Sequence, residues 1–249
     1  RWFVPAFLPL GGVILAQAVV LRTAKLGEAD RIITLLTRDH GKVRAVAKGV
    51  RRTKSRFGAR LEPFMRVDLL LGEGRTFDSV RQAESISAYA GGITGDYATY
   101  TAASAMCETA ADLLPAEHEP AAAQYRLLIA ALGALSRHLH DPQAIALSYI
   151  LRAMSLAGWT IRLDSCVVCG SQDVEFFSAS AGGAMCPNDH TPDAVRVPVH
   201  VFDQLRALEQ GDWPQLDMLQ TPDPRCENIV REWAQYYLER PIRSLRLLD

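Results

Sequence analysis

The chain has 249 residues, of which 49% are hydrophobic and 22% charged, a balance that permits a sizeable core and excludes a wholly disordered protein. The formal net charge of −1 neither indicates nor excludes binding to nucleic acid. Evidence for such binding has to come from where the charged residues lie along the chain. Five cysteines, an odd number at low density, exclude a secreted disulfide scaffold and indicate a reduced, cytoplasmic compartment.

The chain begins with residues 1–12, which are interpreted as an apolar leader outside the fold. No charged residue occurs from Trp2 to Leu21, a run long enough to suggest a membrane span, and Ala16-Gln17-Ala18 resembles a signal-peptidase site. Two prolines and two glycines interrupt the run. We therefore predict a first strand near Val13–Arg22 and no membrane partner, with a membrane-attached protein as the alternative.

Five short strands follow within about 75 residues, which predicts a small barrel of the OB type over residues 13–92. Asp39-His40-Gly41 is a hairpin signal. The strand after it alternates between apolar and basic residues and therefore has one exposed basic face. The predicted strands are Val13–Thr23, Arg31–Arg38, Lys42–Lys48, Met65–Gly72 and Thr76–Ala90.

The composition then becomes rich in Ala and Leu with apolar residues at helical spacing, and Asp141-Pro142 is a helix-start signal. The fold class is therefore α+β and multidomain: an OB-fold β-barrel, then a mainly α-helical domain carrying a zinc-knuckle-type insertion. The helical domain is predicted at 93–160 and 199–249, with the insertion at 161–198. The predicted helices include Ala121–His140, Pro142–Ala157, Val199–Gln210 and Pro224–Arg240.

The segment from Arg38 to Arg60 holds nine of the 27 Lys and Arg residues and one acidic residue, Asp39. Basic side chains on an alternating strand and the loop after it can follow a phosphate backbone, and such binding is salt-sensitive. On an OB-type barrel this pattern predicts a single-strand binder, whereas the alternative is a basic face that is merely solvated. The predicted DNA-binding residues are Lys42, Arg44, Lys48, Arg51, Arg52, Lys54, Arg56 and Arg60.

Two aromatic residues, Phe57 and Phe64, lie near this basic loop. They either stack on bases or pack in the core, and core packing is the preferred interpretation. Phosphate contacts from the segment would supply affinity rather than sequence specificity.

The cysteines form a C-x2-C-x16-C-x3-H pattern, which runs from Cys166 and Cys169 to Cys186 and His190. Two knuckles with short spacers place four ligands around a tetrahedral Zn²⁺, and such a site is structural because no position is open for catalysis. Asp189 is the alternative to the preferred His190 as fourth ligand, and a degenerate knuckle without metal is a further alternative. The sequence thus predicts structural zinc.

Motifs that carry catalysis are absent from the sequence: it has no GxxxxGK[ST], no dinucleotide-type glycine fingerprint after a strand and no HExxH. We therefore predict a protein that is not an enzyme. Two alternatives belong to other classes. One is an OB-fold plus zinc module that binds RNA, and the other is a zinc enzyme with three protein ligands and a bound water.

The order of these features, together with three sequence blocks, resembles the bacterial DNA repair family RecO, and its actinobacterial members in particular. The blocks are Ala18–Arg22, Gly27–Thr37 and Gly41–Arg52. Further matches lie at Leu61–Phe64, at the helix end Leu151–Gly158 and at the CxxC that begins with Cys166. The resemblance covers nearly the whole chain beyond Val13.

This resemblance implies a recombination mediator with an N-terminal OB-fold, a helical domain and, in many members, a zinc-binding module. It implies binding of single- and double-stranded DNA and annealing of complementary strands. It further implies partnership with RecR and with single-stranded DNA-binding protein, and indirectly with the recombinase RecA, which is loaded onto the coated DNA. Some members lack the knuckles, so the departure from CxxC at Cys186 leaves metal occupancy open.

Overall fold

The computed structural model describes residues 12–114 and 116–247. Within these described residues the contacts define two compact units, one formed by residues 12–90 together with 116–125, the other by 91–114 and 126–247. Apart from Gly12, the predicted apolar leader lies outside the described residues.

The first unit is built from five strands, which form a closed barrel as predicted from the strand count. The strands are β1 (Val13–Leu26), β2 (Asp30–Thr37), β3 (Gly41–Ala47), β4 (Met65–Gly72) and β5 (Asp78–Ala88). They pair in the order β1-β2-β3-β5-β4, and β4 returns to β1. All pairs are antiparallel except β3 with β5, which is the topology of an OB-fold.

Apolar side chains at alternating strand positions fill the barrel interior. In Gly41–Ala47 every second residue is buried and the residues between are half-buried, which confirms the predicted alternation. Phe57 and Phe64 are 1% and 2% exposed. Both side chains are therefore buried, as preferred, and neither is available to stack on a base.

A short segment, residues 116–119, lies along the edge of β3, although it falls within the range predicted for the helical domain. Among the described residues, β5 pairs with β3 at only two positions, both in the second half of β3. At the other half, Glu117 forms β-bridges with Gly41 and Lys42, and the His118 N–H donates to the Lys42 carbonyl at 3.0 Å. The segment thus occupies the β3 edge that β5 does not reach. We call residues 116–119 the edge segment.

Close packing of the edge segment depends on Gly41, which has a left-handed backbone with φ of 58°. A Cβ there would lie 1.7 Å from the Glu119 carbonyl oxygen. We expect Gly41→Ala to lower the free energy of unfolding by about 3 kcal/mol or more, because both the backbone strain and the clash must be relieved.

Gly27→Ala is the matched control, since Gly27 has φ of 57° and no atom within 4 Å of its Cβ position. Strain alone should lower its free energy of unfolding by about 1–2 kcal/mol. Urea unfolding of the two variants measures the difference. Equal losses would show that the edge segment does not pack tightly on β3.

The helices follow the predicted order. They are α1 (Ala90–Ile93), α2 (Tyr97–Leu113), α3 (Ala122–Ser136), α4 (Pro142–Leu156), α5 (Val199–Gln210), α6 (Trp213–Leu216) and α7 (Pro224–Leu238). Short 3-10 helices lie at Gly58–Leu61 and Arg243–Leu247. None of the helices in the described part of the chain combines the length and apolar character that a membrane crossing requires.

The helix α4 is the centre of the second unit. It begins as the sequence predicts, because the Asp141 carboxylate accepts a hydrogen bond from the Ala144 N–H at 2.9 Å and Pro142 opens the first turn. From Ala144 to Leu151 every residue is buried. A helix that is buried all round must be covered by neighbours, and α4 packs against α2, α5 and α7.

The insertion between α4 and α5 forms a small antiparallel sheet in the order β7-β6-β8. Its strands are β6 (Phe176–Ser178), β7 (Gly183–Met185) and β8 (Val195–Arg196). The architecture is therefore α+β, with an OB barrel followed by a helical part that carries a zinc-knuckle-type insertion, as predicted.

Candidate metal centre and nucleic-acid interface

The candidate nucleic-acid interface is the basic loop, residues 48–60, which connects β3 to β4. Its start is fastened to the turn between β1 and β2. The Gly49 N–H donates to the Asp30 carboxylate at 2.7 Å, and the Arg51 N–H donates to the Ala29 carbonyl at 3.0 Å. The Arg51 guanidinium also donates to the Glu28 carbonyl at 2.8 Å. These bonds hold the loop against the turn that OB-folds use in oligonucleotide binding.

The predicted DNA-binding residues fall into three groups in the structure. The side chains of Lys48, Arg52 and Lys54 are exposed along the basic loop. Arg51, Arg56 and Arg60 lie on the same loop but contact protein as well: Arg56 lies over the Phe57 ring and Arg60 donates to the Arg56 carbonyl. Lys42 and Arg44 are half-buried on β3.

Arg44 differs from the loop residues because an acidic side chain already pairs with it. Its guanidinium forms an ion pair with Glu117 of the edge segment. The same guanidinium lies 5.0 Å from the centroid of the Phe77 ring. Sequence reasoning missed this pair because nothing in the sequence links two residues that are 73 positions apart.

The candidate metal centre begins with a tight turn at the first CxxC. The Gly170 N–H donates to the Cys166 carbonyl at 3.0 Å, and Gly170 has φ of 78°, a conformation that glycine adopts without strain. The Val167 N–H donates to the Ala184 carbonyl on β7 at 2.9 Å. The turn is therefore anchored on the strand that leads directly into the third cysteine, Cys186.

Four ligand atoms converge at this point. The Sγ atoms of Cys166, Cys169 and Cys186 and a carboxylate oxygen of Asp189 lie within 4.8 Å of one another. The Sγ atoms of Cys169 and Cys186 are 3.6 Å apart. Thiolates at about 2.3 Å from a tetrahedral Zn²⁺ are separated by about 3.8 Å, so this donor set fits the ion. The four residues can hold a metal ion.

The electrostatics of the cluster also suit a cation. Burial opposes ionisation of the Cys166 thiol, but hydrogen bonds from the backbone N–H groups of Cys169 and Cys186 outweigh it and lower the pKa of Cys166 to about 6. A hydrogen bond to the Asp189 carboxylate raises the pKa of Cys169 to about 12. Bound metal requires thiolates, so a divalent ion would displace the protons that these groups share.

The structure brings Asp189, and not His190, to the three cysteines. The His190 ring stacks on Phe176 with 4.1 Å between centroids, and its Nδ1 is 2.9 Å from the Pro187 carbonyl oxygen. These contacts hold the imidazole outside the cluster, whereas the Asp189 carboxylate accepts from the Cys186 thiol at 3.3 Å. The geometry therefore favours Asp189, the alternative at the CxxC-like position, over the predicted His190 as fourth ligand.

The centre has a structural rather than a catalytic geometry. All four positions of a tetrahedral ion are supplied by protein side chains, which leaves none for a water or substrate. Its candidate ligands come from the two turns that flank β6 and β7, so an ion would join these two turns. This geometry argues against a zinc enzyme with three protein ligands.

Comparison with known proteins gives the same family for both units. The family model described as Recombination protein O N terminal matches residues 13–89, which contain the barrel. The model described as Recombination protein O C terminal matches residues 94–246, which contain the helices and the insertion.

Curated relatives span nearly the whole chain. The DNA repair protein RecO of Bifidobacterium adolescentis is 60% identical over 240 residues, covering 94% of this chain and 98% of the relative. The DNA repair protein RecO of Bifidobacterium longum subsp. infantis is 60% identical over 234 residues, covering 94% of this chain and 97% of the relative. The DNA repair protein RecO of Streptomyces griseus subsp. griseus is 45% identical over 241 residues, covering 94% of this chain and 97% of the relative. None of these names states an enzymatic activity.

Proposed function

Because the chain belongs to the RecO family of DNA repair proteins, we propose that it is a recombination mediator that binds single- and double-stranded DNA and anneals complementary strands. In this role it helps RecR to load RecA onto DNA coated by single-stranded DNA-binding protein. It acts in the cytoplasm, where the chromosome lies, and it carries out no covalent chemistry.

The observation that carries the proposal is the basic loop on a closed OB barrel. Lys48, Arg52 and Lys54 are exposed along one loop, and that loop is hydrogen-bonded to the turn between β1 and β2. Cationic side chains in that position neutralise phosphates and release counterions. Buried Phe57 and Phe64 contribute no stacking, so affinity rests on charge and shows little dependence on base sequence.

Annealing follows from this electrostatic surface. Two complementary strands are polyanions whose mutual repulsion opposes pairing. A cationic surface lowers that repulsion and raises the local concentration of both strands. No nucleotide hydrolysis is required for either effect, which agrees with the absence of a phosphate-binding GxxxxGK[ST] motif from the sequence.

Zinc has a structural role in the proposal. Cys166, Cys169, Cys186 and Asp189 would hold the ion and fasten the two turns of the insertion together. When bound, the ion supplies folding free energy and no reaction chemistry. The residues of the insertion then keep one conformation through the β6–β7 pairing and the stacking of Phe176 on His190.

Strand annealing without added nucleotide tests the function. We expect the protein to accelerate the pairing of two complementary DNA strands, each coated with the cognate single-stranded DNA-binding protein. Because binding depends on phosphate contacts, the acceleration should fall as salt rises. Annealing of RNA strands of the same sequence is the comparison. Faster pairing of RNA than of DNA would favour an RNA-binding OB and zinc module instead.

A further inference from the structure

The edge segment lies on the part of the barrel where OB-folds bind oligonucleotides. In that fold the binding surface comprises the face of the second and third strands and the loops between strands one and two and between four and five. Arg44 lies on β3, and Phe77 lies in the loop between β4 and β5. The Glu117 carboxylate pairs with Arg44 at this point, so an acid occupies a position suited to a phosphate.

The backbone of the edge segment is held in place without the Glu117 side chain. The His118 N–H donates to the Lys42 carbonyl, and the Glu119 carbonyl lies against Gly41. The His118 imidazole also approaches the buried Asp78 carboxylate at 3.7 Å. The carboxylate of Glu117 is therefore not what fastens the segment to the barrel.

The ion pair itself contributes little to stability. The side chains of Arg44 and Glu117 are 42% and 22% exposed, and ion pairs at such partly exposed positions contribute little to stability because water screens them. Its larger effect is on charge: the Arg44 guanidinium, which also lies over the Phe77 ring, is neutralised where a nucleic-acid backbone would pass.

We propose that Glu117 acts as an intramolecular phosphate mimic that competes with DNA for Arg44 and so limits the affinity of the barrel for single strands. This inference rests on the proposed DNA-binding function and adds a regulatory contact to it. When a DNA phosphate takes the place of the Glu117 carboxylate, Arg44 loses one ionic contact and gains another. The net gain from that contact is therefore small in the intact protein and larger once the acid is removed.

Salt titration of single-strand binding tests the proposal, with a fluorescent oligothymidylate as probe. We expect Glu117→Gln to bind about fivefold more tightly at 0.1 M salt and to steepen the dependence of log K on log salt by about 0.7, as for one added phosphate contact. Glu119→Gln is the matched control: it makes the same change in net charge, but its exposed side chain belongs to a residue that contacts β3 through its backbone.

The variant Arg44→Ala completes a double-mutant cycle. It should lower the affinity for DNA more in the Glu117→Gln background than in the intact protein. Only in that background can the Arg44 guanidinium pair with a phosphate without competition from a carboxylate. Thermal unfolding verifies that each variant remains folded. Equal affinities of Glu117→Gln and Glu119→Gln would overturn the competition, whereas failure of the intact protein to bind the probe would overturn the proposed function itself.

Discussion

Replacement of Cys166 by serine is expected to abolish the proposed zinc binding and to unfold the insertion at residues 161–198. Cys166 is fully buried, and its sulfur accepts backbone N–H bonds from both turns of the centre. Structural zinc supplies about 10–16 kcal/mol of apparent folding free energy in small domains, so loss of one ligand removes the main stabilising contribution to a segment with three very short strands. We expect the insertion to become the first site of proteolysis.

Two measurements check this result: zinc per chain by atomic emission spectroscopy, and limited proteolysis followed by mass spectrometry. Asp189→Asn should weaken zinc retention, because Asp189 is in the ligand cluster. His190→Gln is the discriminating control and should retain the ion, since the imidazole stacks on Phe176 instead. Loss of zinc from His190→Gln with retention in Asp189→Asn would reverse the assignment. Metal-free protein with an intact insertion would indicate a degenerate knuckle.

Removal of charge from the basic loop should have the largest effect on DNA binding. The triple variant Lys48→Ala, Arg52→Ala and Lys54→Ala deletes three exposed cations that take no part in the barrel core. Each phosphate contact to a single strand contributes about 0.7 to the salt slope, so the slope should fall by about 2 and affinity at 0.1 M salt by about 100-fold. The decrease should be similar for unrelated base sequences.

The matched control removes three exposed arginines from the second unit, Arg126, Arg196 and Arg240, with the same change in net charge. Fluorescence anisotropy over a range of salt concentrations compares the two variants, and circular dichroism confirms that both are folded. A loss in the control as large as that in the loop variant would mean that overall charge, and not the basic loop, determines binding. Arg51 is left intact because its guanidinium donates to the Glu28 carbonyl.

Local sequence patterns predicted most of the strands and helices. The predicted strand Met65–Gly72 and helix Val199–Gln210 have the bounds found in the structure, and Asp141 caps α4 as expected. Each of these features depends on neighbours within one strand or one helical turn, which is the range over which periodicity and capping act. The first CxxC could likewise be recognised from the sequence, because its two cysteines are three residues apart.

By itself the sequence determined the barrel, the helical part, the insertion with its three clustered cysteines, the basic loop and the family. Only the tertiary structure brought Asp189 to the three cysteines and paired Arg44 with an acid. Asp189 and His190 are adjacent in the chain, and stacking on Phe176 separates their roles. Arg44 is paired by a carboxylate 73 residues away, since closure of the barrel edge brings Glu117 beside it. Contacts between distant segments form only when the fold closes, so no local spacing encodes them.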